Sequence, residues 1–487
     1  MRHLTLPPGP RGLPVLGNLL DVPLHSLKDL SSLSQRYGSV FSLRLGSRTV
    51  VVITDPDVLE EVYVKHADSC GARPSFVNTD VISGGGQSTL LGNGAAWHAR
   101  RRLLIQGFLQ PRHLPDLVPA LNEELTAITD RIEAASAAST PLQLFGDLLQ
   151  VEQFAIATRL LTGAPPAQHS SVQMRLRAAV EAESSHFGPQ LADFLPLLRP
   201  WARVRLWTVR RHVRYFHRFF TAQIRLRRDA LAGGAQPTGV LDSLLRKRDH
   251  MITAEQGKMG AHCSDETLPY MIYNIFGTMN PTHITVMRAL VFLLRSPAAL
   301  DRTVTEIDNV LGTRTAPTVA DLDRLTYLNA VIKEAMRLRP PTPSLVPRLV
   351  TEDIVTTQGH LIPKGAILMA NISALGHDEK YWEKSREFHP ERFLDGDGAG
   401  ERTNTDNFFP FGVGPRACPA RLLGTTIVSL WLVHLLRRFD IKLVECPADS
   451  EKWHPGRPPK SVGAQVFNDF PDDVRVFFTA RTRRSGQ

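Results

Sequence analysis

The segment Phe408-Phe409-Pro410-Phe411-Gly412-Val413-Gly414-Pro415-Arg416-Ala417-Cys418-Pro419-Ala420 constrains this chain more than any other. It sets one cysteine on a tight, glycine-bearing loop directly ahead of an apolar run that reads as a helix. Such a loop can hold a thiolate against a metal while backbone N–H groups point at the sulfur. Those N–H groups tune how much electron density the sulfur releases.

The chain has 487 residues, of which 43% are hydrophobic, so a large core is available. It contains no internal repeat and no long low-complexity tract. The most linker-like pieces, 232–239 and 395–400, are short and rich in Gly, Pro and Asp, which reads as surface loop. One domain covering 1–487 is therefore expected. Cys70, Cys263, Cys418 and Cys446 are scattered without paired spacing, which argues against a disulfide framework and a zinc module. A reducing, intracellular setting is the simpler reading. No apolar run of about 18 residues precedes Pro7, so a soluble cytoplasmic protein with neither signal peptide nor membrane anchor is expected. The formal charge is +9. Its basic residues are not confined to one tail, and a nucleic-acid partner is not expected. They cluster with aromatics from Trp201 to Tyr215, which reads as a solvated helix face, with a membrane-grazing or partner-docking helix as the other reading.

Helical periodicity dominates, with apolar residues at three- and four-residue spacing over 121–135, 151–161 and 298–311. Strand-like runs are few. Val40–Leu45 and Thr49–Ile53 flank Gly46-Ser47-Arg48 and read as a hairpin, and 361–369 is extended around a turn. The fold class expected is mostly α with a small β lobe built from about 38–55 and 345–375.

Phe411, Gly414, Arg416, Cys418 and Ala420 together fit Phe-x-x-Gly-x-Arg-x-Cys-x-Ala, which closely resembles the haem-binding loop of cytochrome P450 enzymes. The resemblance implies the cytochrome P450 fold, haem b (iron protoporphyrin IX) as cofactor, and Cys418 as its axial iron ligand, with Phe411 beside it. Further stretches in the same order carry the resemblance along nearly the whole chain. The helical Glu334-Ala335-Met336-Arg337 and the downstream Pro390-Glu391-Arg392-Phe393 resemble the family's Glu–Arg–Arg cluster, a structural lock for the cysteine loop. Trp97-His98-Ala99-Arg100-Arg101 resembles its Trp-x-x-x-Arg helix. On that basis Trp97, Arg101, Arg348 and Arg416 are expected to hold the haem propionates, and His98 to be a bystander. The Pro-rich segment 7–14 resembles the hinge that follows the membrane anchor in microsomal members, although no anchor is expected ahead of it.

The pattern breaks at one place. The family's long helix above the haem carries Ala/Gly-Gly-x-Asp/Glu-Thr, whose acid and alcohol relay protons. The matching stretch here is Phe276-Gly277-Thr278-Met279-Asn280-Pro281-Thr282. Aligned on Gly277, Met279 stands at the acid and Asn280 at the alcohol. Pro281 cannot donate to the Gly277 carbonyl, so a bend is expected there. Asn280 with ordered water, or Thr278 or Thr282 after a shift of register, are the candidates for the missing relay. Three chemistries stay open: ordinary monooxygenation; oxidative coupling or cyclisation in which the substrate supplies the proton; and isomerisation or dehydration of a hydroperoxide or endoperoxide without electrons. The loop Val81–Ser88, Ser344-Leu345-Val346 and 463–467 are expected to line the substrate pocket. The Gly84-Gly85-Gly86 run lacks the Lys-Ser/Thr of a phosphate loop.

The reading as a whole is a P450-type oxidoreductase acting on a small to medium apolar or aromatic molecule with O2, in a biosynthetic pathway. No flavin or NAD fingerprint is present, so electrons are expected from an external donor, a ferredoxin, flavodoxin or P450 reductase.

Overall fold

The β lobe shows most directly how the sequence dictates structure. Arg48–Ile53 ends in four consecutive β-branched apolar residues, Val50, Val51, Val52 and Ile53, and all four are buried. A strand that is apolar on both faces needs cover on both faces. Val50 and Val52 enter one hydrophobic cluster with Phe41, Ile367 and Met369, whereas Val51 and Ile53 enter another with Val40, Leu368 and Ala370. The strand pairs antiparallel with Val40–Leu45, confirming the hairpin, and parallel with Ile367–Ala370. Ile367–Ala370 in turn pairs with Arg348–Leu349. The N-terminal hairpin and the 345–375 region thus form one four-stranded sheet. The extended 361–369 stretch is divided by its turn between two sheets: Ile367–Ala370 joins the four-stranded one, and Leu361–Ile362 pairs with Ile354–Val355 in a separate two-stranded sheet.

The computed structural model describes residues 5–20, 22, 30–136, 141–144, 149–163, 174–176, 178, 189–254, 262–277, 279–395, 407–444 and 474–481. Thr278, Cys446, 463–467 and nearly all of the 395–400 loop lie outside the described residues.

The body is helical. The expected periodic segments lie within the helices Leu114–Ser136, Gln150–Thr162 and Pro297–Leu311. Leu268–Gly277 and Met279–Leu294 run through the centre, with eight of ten and twelve of sixteen residues buried. The second packs against Arg421–Arg438, which starts just after the cysteine loop, and Thr326–Leu338, whereas the first packs against Trp207–Ala232 and Gln150–Thr162. The latter helix has its first N–H groups satisfied from outside: Glu306 accepts from Tyr327 N at 2.7 Å and Leu328 N at 2.9 Å. A carboxylate placed there satisfies orphan donors and favours the helix dipole.

Candidate active site

The cysteine loop is shaped by its glycines. Gly412 and Gly414 both have φ of +71°, a conformation that costs little only without a side chain. Cys418 N donates to Phe411 O at 2.7 Å, which folds the loop back on itself. At Gly414 the space is also closed: a Cβ there would lie 2.3 Å from the Tyr63 carbonyl oxygen. Gly414→Ala is therefore expected to displace the loop and lower cofactor retention several-fold, measured as the haem-to-protein ratio after purification. Unchanged retention would show that the loop has slack.

A cavity of about 280 Å³ opens beside the loop, lined by Phe411, Gly412, Arg416, Cys418 and Ala420 on one side. Cys418 is exposed, and the surface it exposes is this cavity. Its thiol is pushed up by burial within the fold, opposed by the Ala420 N–H and then by the Arg101 charge. Both opposing groups favour a thiolate, which a metal would stabilise much further.

Among the described residues, four guanidinium groups line the cavity, Arg73, Arg101, Arg348 and Arg416, and no aspartate or glutamate does. Arg101 reaches Ala417 O at 2.7 Å, one residue from the cysteine. Arg416 stacks 3.7 Å from the Trp97 ring, donates to Gly71 O at 2.8 Å and Asn93 Oδ1 at 3.0 Å, and keeps one buried terminal nitrogen without a partner. Arg348 donates to Tyr63 O at 3.1 Å and Val413 O at 2.7 Å. Burial, then Arg348 and Arg101, hold Arg416 down to about 9, and burial with Arg416 and Arg348 lowers Arg73. An arginine does not give up its proton readily, so these shifts register cations held away from water and close to one another. His98 is exposed and stands off the cavity, edge-on to Trp97.

Behind the loop, Glu334 accepts from Arg337 at 2.8 Å on both oxygens and from Arg392 at 3.1 Å, with Glu334 and Arg337 fully buried. The three residues singled out from the sequence are thus brought into contact.

The opposite wall corrects the sequence reading. Asn274, Ile275, Met279, Pro281, Thr282 and Thr285 line the cavity, and Asn280 does not. A helix turns about 100° per residue. Positions 274, 281 and 285, with 275 and 282, fall on one face, and 280 falls off it. Alignment on Gly277 placed Asn280 at the alcohol by counting residues, but the face is set by the helix. Thr282 is the candidate that reaches the cavity. Its hydroxyl donates to Met279 O at 2.5 Å and lies 3.3 Å from His283 Nδ1, leaving acceptor capacity on the oxygen for a guest. His283 meets the same carbonyl from the buried side at 2.7 Å, and burial holds its ring down to about 4, so it is neutral.

The pocket loop is also displaced from expectation. Val77–Ser83 is helical and is closed by Gly84, Gly85 and Gly86, all at positive φ. The residues that reach the cavity are Thr89 and Leu90, just beyond the expected span. Leu345 and Val346 line it as expected, and Ser344 does not. Arg73 was missed: an arginine before a proline carries no signal of burial, and only the fold turns it inward, donating to Val346 O at 2.6 Å.

The family model for cytochrome P450 matches residues 7–465. The chain belongs to the cytochrome P450 family. It is similar to trans-cinnamate 4-monooxygenase of Oryza sativa subsp. japonica, 30% identical over 452 residues, covering 90% of this chain and 87% of that protein. The Arabidopsis thaliana protein of the same name is 27% identical, over 90% and 88%. Cytochrome P450 71A20 of Arabidopsis thaliana is 28% identical, over 91% and 88%. This P450 is therefore a monooxygenase-type oxidoreductase that binds haem b, takes a small-molecule substrate and receives electrons from a partner. The residues present fit that cofactor: a cysteine sulfur opens on the cavity, and cations outnumber anions where two propionates must be held.

The relatives also correct the cytoplasmic placement expected from the N-terminus. They are plant P450s of the membrane-anchored, endoplasmic-reticulum type. No single described helix is long and apolar enough to cross a membrane, and that says nothing of where the protein resides.

Proposed function

We propose that the chain acts as one P450 domain that oxidises a small to medium apolar or aromatic molecule with O2, with Cys418 as the iron ligand. The observation that carries this reading is the placement of cysteines: Cys418 lines the cavity, whereas Cys70 and Cys263 are buried in the core. Bound at Cys418, haem supplies the redox iron for oxygen chemistry. The chain's residues do the rest. The Ala420 N–H tempers the charge on the sulfur, and Trp97, Arg101, Arg348 and Arg416, with Arg73, balance the propionates. Phe411, Leu90, Ile275, Leu345 and Val346 make the walls largely apolar and exclude water.

Thr282 takes the part of the missing alcohol by holding a water through the acceptor capacity left on its hydroxyl oxygen. Thr282→Val is expected to raise peroxide release several-fold at the expense of product, and Asn280→Val to change little. Both are read as product formed per NADPH consumed. The reverse ranking would return the role to Asn280. Turnover with NADPH, a surrogate redox partner and a substrate panel tests the function as a whole. Product that depends on both electrons and O2 is expected. That no described residue on the cavity wall is a carboxylate supports a second reading, rearrangement of a peroxide, which product from organic hydroperoxides without electrons would favour.

Two surfaces suit partners. Arg421 is exposed three residues past Cys418, and a basic face there fits an acidic ferredoxin, flavodoxin or reductase. The Trp201–Tyr215 region, with Trp201 and Trp207 exposed, fits peripheral contact with a membrane.

A further inference from the structure

The cavity wall is largely apolar, and several of its hydroxyl groups are committed to their own helices. Thr282, Thr285 and Thr425 donate to the carbonyls of Met279, Pro281 and Arg421. A hydroxyl has one proton to give, so these groups meet a guest as acceptors. Asn274 differs. It lines the same cavity from the Leu268–Gly277 helix at 6% exposure, and the two ends of its amide are placed differently.

The amide oxygen is held. Leu90 N donates to Asn274 Oδ1 at 3.3 Å, and the Thr89 hydroxyl donates to it at 3.4 Å. A backbone N–H has only a donor to offer, so the oxygen must face residues 89–90, which assigns the flip of the amide. Leu90 is fixed in turn, because its carbonyl accepts from Arg73 Nε at 3.2 Å. The Nδ2 group then points away from residues 89–90 with two N–H donors. It has no hydrogen-bond partner among the described residues. An unpaired donor on a nine-tenths-buried side chain is destabilising. Fastening residues 89–90 uses only the oxygen, so a purely structural role leaves the NH2 group unexplained.

We propose that Asn274 Nδ2 donates to a carbonyl oxygen of the substrate, which is then an apolar or aromatic molecule with a ketone, ester or carboxyl group at one end. The proposal rests on the reading of this cavity as the site of oxidation, and adds the polar group that orients the substrate there. A carbonyl oxygen accepts an N–H without bringing a proton of its own. A hydroxyl would add a donor beside Leu90 and Ile275, whose side chains cannot accept it. The Arg73 guanidinium, anchored on Leu90 O, adds positive potential on the same side and favours the negative end of a carbonyl dipole.

The test is equilibrium dialysis of the haem-loaded protein with two probes of one shape, 2-acetylnaphthalene and 2-isopropenylnaphthalene, in which a C=O group stands against a C=CH2 group. Asn274→Asp keeps an oxygen for Leu90 N and Thr89 while turning the free donor into an acceptor. Asn274→Leu removes both contacts. The ratio of ketone to alkene affinity should fall by about tenfold or more in Asn274→Asp, with alkene binding changed by less than about threefold. The Leu variant should lower the same ratio, and both variants should keep the wild-type CO-bound spectrum as a check on folding. A ratio unchanged in both variants, or equal losses for the two probes, would overturn the proposal. Asn274 would then only fasten residues 89–90, and the oxidation of apolar molecules would stand. Failure of the wild type to bind either probe would contradict the apolar cavity of the proposed function, and this proposal with it.

Discussion

Cys418→Ala is expected to abolish completely the thiolate-type absorption of the reduced, CO-bound protein. The argument is geometric. Cys418 opens onto the cavity next to Arg101 and the Ala420 N–H, and no described cysteine can stand in. Cys70 is fully buried with its thiol donating to Val62 O at 3.0 Å, and Cys263 is fully buried in the helical core. Alanine adopts the same backbone, and Cys418 N would still bond to Phe411 O. The loop should therefore keep its shape while losing its ligand. Far-ultraviolet circular dichroism close to wild type alongside the lost absorption would separate loss of the ligand from unfolding. A thiolate-type spectrum retained in the variant would sink the assignment.

The second large effect is expected at Glu334. Arg337 forms a two-point ion pair with it inside the protein, Arg392 adds a third contact, and His389 N donates to the same carboxylate at 2.9 Å. Glu334→Ala leaves Arg337 charged, fully buried and without its counter-ion. Breaking such a pair from one side costs on the order of 3–5 kcal/mol, against a total stability of about 5–15 kcal/mol for a typical domain. Glu391 provides the contrast. It pairs with Arg302 at 3.3 Å where both side chains are substantially exposed, and exposed pairs contribute about 0–1 kcal/mol. Denaturant unfolding of the two alanine variants should rank them far apart, with Glu334→Ala retaining little cofactor. Equal, small effects would mean that Glu334 is not the lock of the cysteine loop.

The parts of the site that the sequence revealed are those fixed by local chemistry. Two glycines and a proline around Cys418 predict a tight loop because few other residues accept positive φ. Glu334 and Arg337 are three apart, so one helix face presents both. The run Val50-Val51-Val52-Ile53 announces a strand buried on both sides. What the sequence left hidden depends on how faces are turned. Asn280 and Thr282 differ by two positions, which is about 200° of helix, and counting from a motif with a substituted acid and an inserted proline cannot choose between them. Arg73 and Thr89 enter the cavity because distant segments, 345–348 and 274–285, close over them. No local pattern encodes that closure.

Turnover under isotopically labelled dioxygen tests the central claim most directly, with NADPH, a surrogate redox partner and a substrate chosen from binding-induced spectral shifts. A P450 that uses Cys418 and a Thr282-held water for ordinary oxygen insertion should place one labelled atom in the product, with NADPH required. An unlabelled product formed with electrons would mean coupling or cyclisation, and an unlabelled product formed from a hydroperoxide without electrons would mean isomerisation. Either unlabelled result would contradict the account.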